Sequence, residues 1–384
     1  MRSRQRPAWR WYMPGVVLVA CSLPASCTSG SGSVRAGSAT ATAVATLPAA
    51  TPTLPGLAAL PPHEINLGDF QADAVYPLSH GLLLSGKPGG AGTTFGATGL
   101  TSIFFYDFAS QSIQTLARAS VAPDGTARRI TEFSPVGDWI TFGVGDFNGA
   151  HWELRTVNVV THEQRLLDSY EQEQVGPNAV WTGLVTSDGS EAVWSAFTQS
   201  AEAPGWILRA YTFASGTTRT LLSGPATPST GPLAMANGTI LFTEKRPTPT
   251  ASDGVYLWTL TDPAPKQIST DEPVNGGLSD QYAVWDDSHT LSLALFDRST
   301  GQVTDAWDSS CIRPDIAHDR PYVVCIDFNS FDMRLVRVPT DQSVVLGKTI
   351  GAENGAIADG RTYWVKSSPS DSNNIVDYVD LPAA

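Results

Sequence analysis

Residue types that carry catalysis and metal binding are scattered along this chain rather than gathered. The six histidines stand at 63, 80, 151, 162, 289 and 318, and none pairs at a metal-ligand spacing. No G-x-S-x-G segment presents a serine nucleophile. Residues 81–87, GLLLSGK, match most of a phosphate-binding loop. The next residue is Pro88, which has no hydroxyl for magnesium, and the three leucines read as strand with no helix behind them. No cofactor and no metal are expected from these patterns. Carboxylates and amides concentrate instead beside aromatics, in stretches that read as loops. The candidate binding residues are Asp146, Phe147, Asn148, Trp206, Asp286, Asp287, Asp327, Asn329 and Asp332. Such a lining suits a basic protein partner, a sugar or a calcium ion. The same aspartates and asparagines are also good turn formers.

The 384 residues have an ordinary apolar share but only 16% charged residues, with 11 Trp, 34 Gly and 27 Pro. That mix favours many short strands and turns over long helices. Formal net charge is −13, and all 37 acidic residues lie from Glu64 onward. An acidic surface repels phosphate backbones, which argues against nucleic acid as a partner.

From residue 63 strand-like runs alternate with turn signals, without a helix-period pattern of useful length. The clearest unit is 277–307, GLSDQYAVWDDSHTLSLALFDRSTGQVTDAW. It reads as four strands at 277–279, 282–285, 290–297 and 302–307. Second strands of comparable units fall at 81–86, 138–142, 191–197, 239–243, 282–285, 322–326 and 362–366, with centres about 40 to 57 residues apart. Tight turns precede them, such as Asn237-Gly238 and Asp359-Gly360, whose favoured geometry needs φ > 0 at both positions. Seven four-stranded units predict an all-β chain folded as a single β-propeller over 63–384. A six-bladed ring and a pair of two-sheet sandwiches are the alternatives. The last unit lacks a fourth strand, and residues 64–67 (EINL) lack a partner. They are expected to pair and latch the ring. Long connections are expected on one face, at 87–101, 119–126, 143–151, 169–177, 198–205, 244–254 and 367–374, and binding is expected there.

Residues 1–20 combine four arginines with a short apolar run, too short to span a bilayer, as in a secretory signal. Residues 21–62 are nearly all Ser, Gly, Ala, Thr and Pro, and predict a disordered tether. The segment Leu18-Val19-Ala20-Cys21 resembles the bacterial lipoprotein signal, which implies cleavage before Cys21 and lipidation of that residue. Cys27 is a rival, preceded by Pro24-Ala25-Ser26. Cys311 and Cys325 are the remaining cysteines. A hairpin turning at His318-Asp319 is expected to bring them opposite each other, and export favours a disulfide.

The phrases FSPVGDWITF, LVTSDGSEAVWSAF and LFDRSTGQVTDAW resemble the TolB-like and WD40-like propellers of bacterial envelopes. Some units depart from that pattern. Pro135-Val136-Gly137 lacks the turn aspartate, and Trp285-Asp286 ends a second strand rather than a third. The expected protein is a monomeric, membrane-anchored lipoprotein outside the cytoplasm that binds an envelope protein or a saccharide. The alternative is a glycoside hydrolase or lyase with carboxylates around the central channel.

Overall fold

The computed structural model describes residues 60–89, 101–125, 128–146, 151–171, 185–199, 204–225, 231–244, 254–287, 292–307, 311–340, 342–349, 355–367 and 374–382. Short strands of alternating or fully apolar residues pair into seven four-stranded antiparallel sheets. Strand β1 is His63–Asn66. Blade 1 is β2 to β5 (Phe70–Leu78, Gly81–Pro88, Ser102–Asp107, Ser112–Arg118). Blade 2 is β6 to β9 (Arg129–Val136, Trp139–Gly145, His151–Asn158, Gln164–Glu171). Blade 3 is β10 to β13 (Val185–Ser187, Glu191–Gln199, Pro204–Thr212, Thr217–Pro225). Blade 4 is β14 to β17 (Gly231–Ala236, Thr239–Glu244, Gly254–Thr259, Lys266–Ser269). Blade 5 is β18 to β21 (Pro273–Leu278, Tyr282–Asp287, Leu293–Asp297, Gln302–Trp307). Blade 6 is β22 to β25 (Cys311–Ile316, Tyr322–Asp327, Asp332–Arg337, Ser343–Lys348). Blade 7 is β26 to β28 (Ala356–Ala358, Arg361–Val365, Ile375–Asp380).

The innermost strands touch their neighbours in a closed cycle from β2 round to β26 and back to β2. The chain is therefore a seven-bladed β-propeller. All seven expected second strands are present. The first strand of blade 5 starts at Pro273 rather than 277 and carries a bulge between Pro273 and Gly276.

Blade 7 is completed by the N-terminus. Strand β1 pairs antiparallel with β28, His63 opposite Tyr378 and Asn66 opposite Ile375. An otherwise open sheet edge is thereby covered.

The core has seven layers, one between each pair of adjacent blades. Trp194, Trp285 and Trp364 hold corresponding places on the second strands of blades 3, 5 and 7, and all are fully buried. Each third-to-fourth strand pair in blades 1 to 6 carries one bulge, while the β28–β1 pair has none. The extra residue is apolar each time: Leu116, Leu167, Leu221, Ile268, Ala306 and Leu346. Leu116, Leu167, Leu221, Ile268 and Leu346 join the layer shared with the following blade. Extra twist at these points turns each outer strand onto its neighbour.

A disulfide joins Cys311 to Cys325, with Cα atoms 5.6 Å apart. The two are not directly opposite. Cys311 faces Asp327, two residues past Cys325, so the bridge runs diagonally across β22 and β23.

Candidate functional site

The two ends of the ring are built differently. At one end lie the first-to-second and third-to-fourth turns, which close on themselves. Asp107 Oδ1 accepts the amides of Ala109 and Ser110 at 2.7 and 2.9 Å, and Asp297 and Asn158 do the same in their own turns. Neighbouring turns are also joined. Asp188 Oδ2 accepts the Gly238 amide of the next blade at 2.8 Å, and Asn237 Nδ2 donates to Asp280 Oδ1 at 2.6 Å. Arg320 donates to the carbonyls of Leu381 and Pro382. The polar groups of this plain face are thus largely spent on each other.

The second-to-third loops and the connections between blades emerge at the other end. Phe147 and Asn148 lie outside the described residues. Trp206 is not in a loop. The β11–β12 hairpin runs on to the Gln199–Pro204 pair, and Trp206 stands within it opposite Phe197. Asp146 follows β7, its amide donating to the His151 carbonyl at 3.0 Å.

Asp146 belongs to a charged cluster in blade 2. Arg128 Nε donates to Asp146 Oδ1 at 2.9 Å, and its Nη1 donates to Ser120 Oγ at 3.1 Å. On β8 the residues His151, Glu153 and Arg155 alternate, so their side chains share one face of the strand. Glu153 Oε1 lies 2.9 Å from His151 Nε2, and Glu153 Oε2 accepts from Arg155 Nε at 2.6 Å. The Arg128 Nη1 approaches Glu153 Oε1 at 4.0 Å. Burial opposes ionisation of Glu153, but the bonds from Arg155 and His151 outweigh it and hold its carboxyl below the ordinary range. The cluster ties the connection from blade 1 to the second-to-third hairpin of blade 2. Sequence reading missed Arg128, His151, Glu153 and Arg155, although the period-two spacing on β8 was a visible signal.

Around the channel, five inner strands carry a bulge near their loop-face ends, at Asp73, Thr131, Leu233, Asn275 and Arg313. Bulges re-aim side chains and recur at sites of function. Asp286 is buried behind two of them. Its Oδ1 accepts the Asn275 amide at 2.7 Å. Its Oδ2 accepts Asn275 Nδ2 at 2.7 Å and the Arg313 amide of the next blade at 3.0 Å. Arg313 stands at φ 52°, the left-handed region that few non-glycine residues adopt. Asp315 repeats the device one seam on, its Oδ2 accepting the Ile357 amide of blade 7 at 2.8 Å. Desolvation pushes its carboxyl pKa up. Asp287 is half-buried, and its amide donates to the Ser292 carbonyl at 3.0 Å.

Blade 6 has the short second-to-third turn Asp327-Phe328-Asn329-Ser330-Phe331-Asp332. Asp327 Oδ1 accepts the amides of Asn329 and Ser330 at 3.0 and 3.2 Å, and its Oδ2 accepts from Arg334 at 2.8 Å. Ser330 Oγ donates to Asp332 Oδ2 at 2.7 Å. Phe331 sits at φ 55°, in the position that Gln111, His162, Gly216 and Gly301 hold in plain-face turns of the same shape. Phe328 and Phe331 are 44% and 42% exposed, and Asn329 is exposed between them. Two aromatic rings are thus displayed on a turn that its own hydrogen bonds hold rigid.

Among the described residues, no group of three or more His, Cys, Asp or Glu side chains is placed to hold a metal ion. No helix among them is long and apolar enough to cross a membrane. Cys21 and Cys27 lie outside the described residues.

No protein-family model and no curated protein matches the chain. Solved structures do. An oligogalacturonate lyase in complex with manganese aligns at 12% identity and a TM-score of 0.51, over 84% of this chain and 98% of that one. A prolyl endopeptidase aligns at 11% identity and a TM-score of 0.54, over 83% of this chain. The chain spans 47% of that enzyme's length. TolB from Acinetobacter baumannii aligns at 13% identity over 74% of this chain and 78% of that one, with a TM-score of only 0.44. At these identities the likeness is one of fold.

Proposed function

We propose that the chain is an exported binding protein, held to a membrane through a lipidated Cys21 and the Ser-, Gly-, Ala-, Thr- and Pro-rich segment that follows it. Its propeller recognises an envelope protein or a saccharide through the long-loop face and acts as a monomer. The aromatic display on the blade 6 turn of the loop face carries this reading. Plain-face turns spend their carboxylates on their own and neighbouring amides. The opposite end gathers the connections and displays Phe328, Asn329 and Phe331. Irregular loops on a rigid scaffold are where recognition usually sits, and exposed aromatics are common anchors in interfaces.

The test combines a glycan array with pull-down from envelope extracts, using the full chain and a Phe328→Ser/Phe331→Ser double variant. A ligand held by the full chain and lost with the variant supports the reading. Activity on a glycoside or uronide panel with no ligand retained would overturn it. Labelling with radioactive palmitate, lost in Cys21→Ala and retained in Cys27→Ala, tests the anchor.

The enzyme reading rests on a different observation, the level of inner-strand bulges at Asp73, Asn275 and Arg313. A lyase that aligns over nearly its whole length shares the architecture. Turnover abolished by Asp73→Asn would favour it.

A further inference from the structure

Comparison of the blades singles out the seam between blades 6 and 7. Trp194 donates its indole N–H to Asp168 Oδ2 at 2.9 Å, and Trp285 donates to Asp271 Oδ2 at 2.9 Å. Trp364 holds the same place in blade 7 and is fully buried, yet its Nε1 has no hydrogen-bond partner among the described residues. In blade 3 the acceptor stands in the preceding outer strand, whereas in blade 5 it is Asp271, two residues past Ser269, which holds the equivalent place opposite Val255. Asp168 stands just after the bulged residue of β9, opposite Leu154. The corresponding residue of β25, opposite Met333, is Gly347. A Cβ there would meet the Trp364 ring at 3.2 Å, so Gly347 lies directly against the indole and brings no acceptor.

Trp364 is not alone. Asp377 is its cross-strand neighbour on β28, and Thr362 lies two residues before it on the same face of β27. Thr349 bridges to Lys366 where the chain passes from blade 6 towards blade 7. All three are buried, and Asp377 Oδ1, Thr362 Oγ1 and Thr349 Oγ1 also lack hydrogen-bond partners among the described residues. Lys366 Nζ approaches Asp377 Oδ1 only to 3.8 Å. One donor, two hydroxyls and a carboxylate oxygen therefore share a single seam. Buried polar groups are almost always paired, with protein or with internal water.

We propose that this seam is a binding site for internal water, a short file that links Trp364 Nε1 to Asp377 Oδ1 and the threonine hydroxyls. The donor set fits water better than an ion. The indole N–H and Lys366 disfavour a cation, and Asp377 with Glu64 disfavours an anion. A water accepting from Trp364 Nε1 and donating to Asp377 Oδ1 and a threonine oxygen has about three partners, the usual number for internal water. Blades 3 and 5 have no need of one, because a carboxylate already meets each tryptophan.

The test is a crystal structure of the full chain at a resolution that orders solvent, joined to an NMR measurement of water contacts at the indole protons. The expected result is a water within hydrogen-bond distance of both Trp364 Nε1 and Asp377 Oδ1, none at Trp194 Nε1 or Trp285 Nε1, and a water cross peak at the Trp364 indole that the Trp194 and Trp285 indoles lack. Trp364→Phe serves only to assign that resonance. Direct bonding of Trp364 Nε1 to a protein acceptor, or an indole with no water contact, overturns the proposal.

Discussion

Glu64 of the first strand stands directly opposite Asp377 of the last, and both carboxylates face the ammonium of Lys366. One cation serves two anions at the point where the ring closes. Asp377 is the buried member, with its side chain 5% exposed. Burial is the largest influence on it, only partly offset by Lys366, and its pKa is pushed up to about 6. An acid whose folded pKa lies above its unfolded value opposes folding once ionised. This group's contribution therefore falls as pH rises from about 4 to about 6, then stays constant. Asp377→Asn should be more stable than the parent at pH 7.5, by roughly 1–2 kcal/mol or about 2–8 °C in Tm. The advantage should vanish near pH 4. Thermal melts of both proteins across that range check the sign. A variant less stable at pH 7.5 would mean that the ionised pair with Lys366 outweighs burial.

Strand β1 contributes its own ladder and places Ile65 against the layer between blades 7 and 1. Deleting residues 63–68 uncovers β28 and removes that packing. The expected result is a fall in Tm of more than about 5 °C, given about 2–4 °C per kcal/mol in domains of this kind, with aggregation through the exposed edge. An unchanged melt would show that the ring holds without its latch.

Much of this architecture is legible in the sequence because its turns are chemically demanding. Asn237-Gly238 and Asp359-Gly360 adopt φ of 46° and 70°, and 50° and 72°, as the dipeptides demand. The missing fourth strand of the last blade and the unpaired EINL segment point to each other for the same reason that sheet edges need cover. The candidate site is less legible. Asp286 was expected to be displayed beside a loop, but it is enclosed by backbone amides from two blades, a contact that depends on inner-strand bulges no local pattern reveals. The Arg128–Glu153 approach spans two strands and a connection. Gly347 reads as an ordinary strand glycine until the blades are superposed in register.

Asp286 and Asp332 carry the same functional group in different settings, which permits a direct comparison. Asp286→Ala leaves the Asn275 and Arg313 amides without their acceptor inside the wall of the channel. Losing charged hydrogen bonds and stranding buried donors costs roughly 2–4 kcal/mol. Asp332 is bonded to Ser330 and stands 3.9 Å from the exposed Lys348, so Asp332→Ala should change stability by only about 0.5 kcal/mol. Denaturant titrations of the two variants measure both. If Asp286→Ala costs no more than Asp332→Ala, the buried carboxylate is not the staple between blades 5 and 6.

The Cys311–Cys325 bridge closes a segment of 14 residues inside one blade. Cross-linking a loop of this length is worth about 3 kcal/mol in the chain-entropy account. Reduction, or a Cys311→Ser/Cys325→Ser double variant, should lower Tm by several degrees while leaving the strand content intact. A thiol count in denaturant before and after reduction, rising by two in the chain that carries both cysteines, confirms that the bridge was present.

Phe331 sets stability against display. Its backbone holds φ 55°, and its ring is largely exposed, so it takes on left-handed strain with little packing in return. Replacing such a residue with glycine relieves strain but adds freedom to the unfolded chain, and the relief is the larger effect where the side chain packs little. Phe331→Gly should therefore raise stability by about 0.5–1 kcal/mol. If the turn is an anchor for the partner, the same change weakens binding at least tenfold, with Asp327 still capping the amides of Asn329 and Ser330. Calorimetric melts and titration with whichever ligand the full chain retains give both quantities from one preparation. A stabilised variant with undiminished binding would remove this turn from the recognition face and leave the blade 2 cluster around Glu153 as its centre.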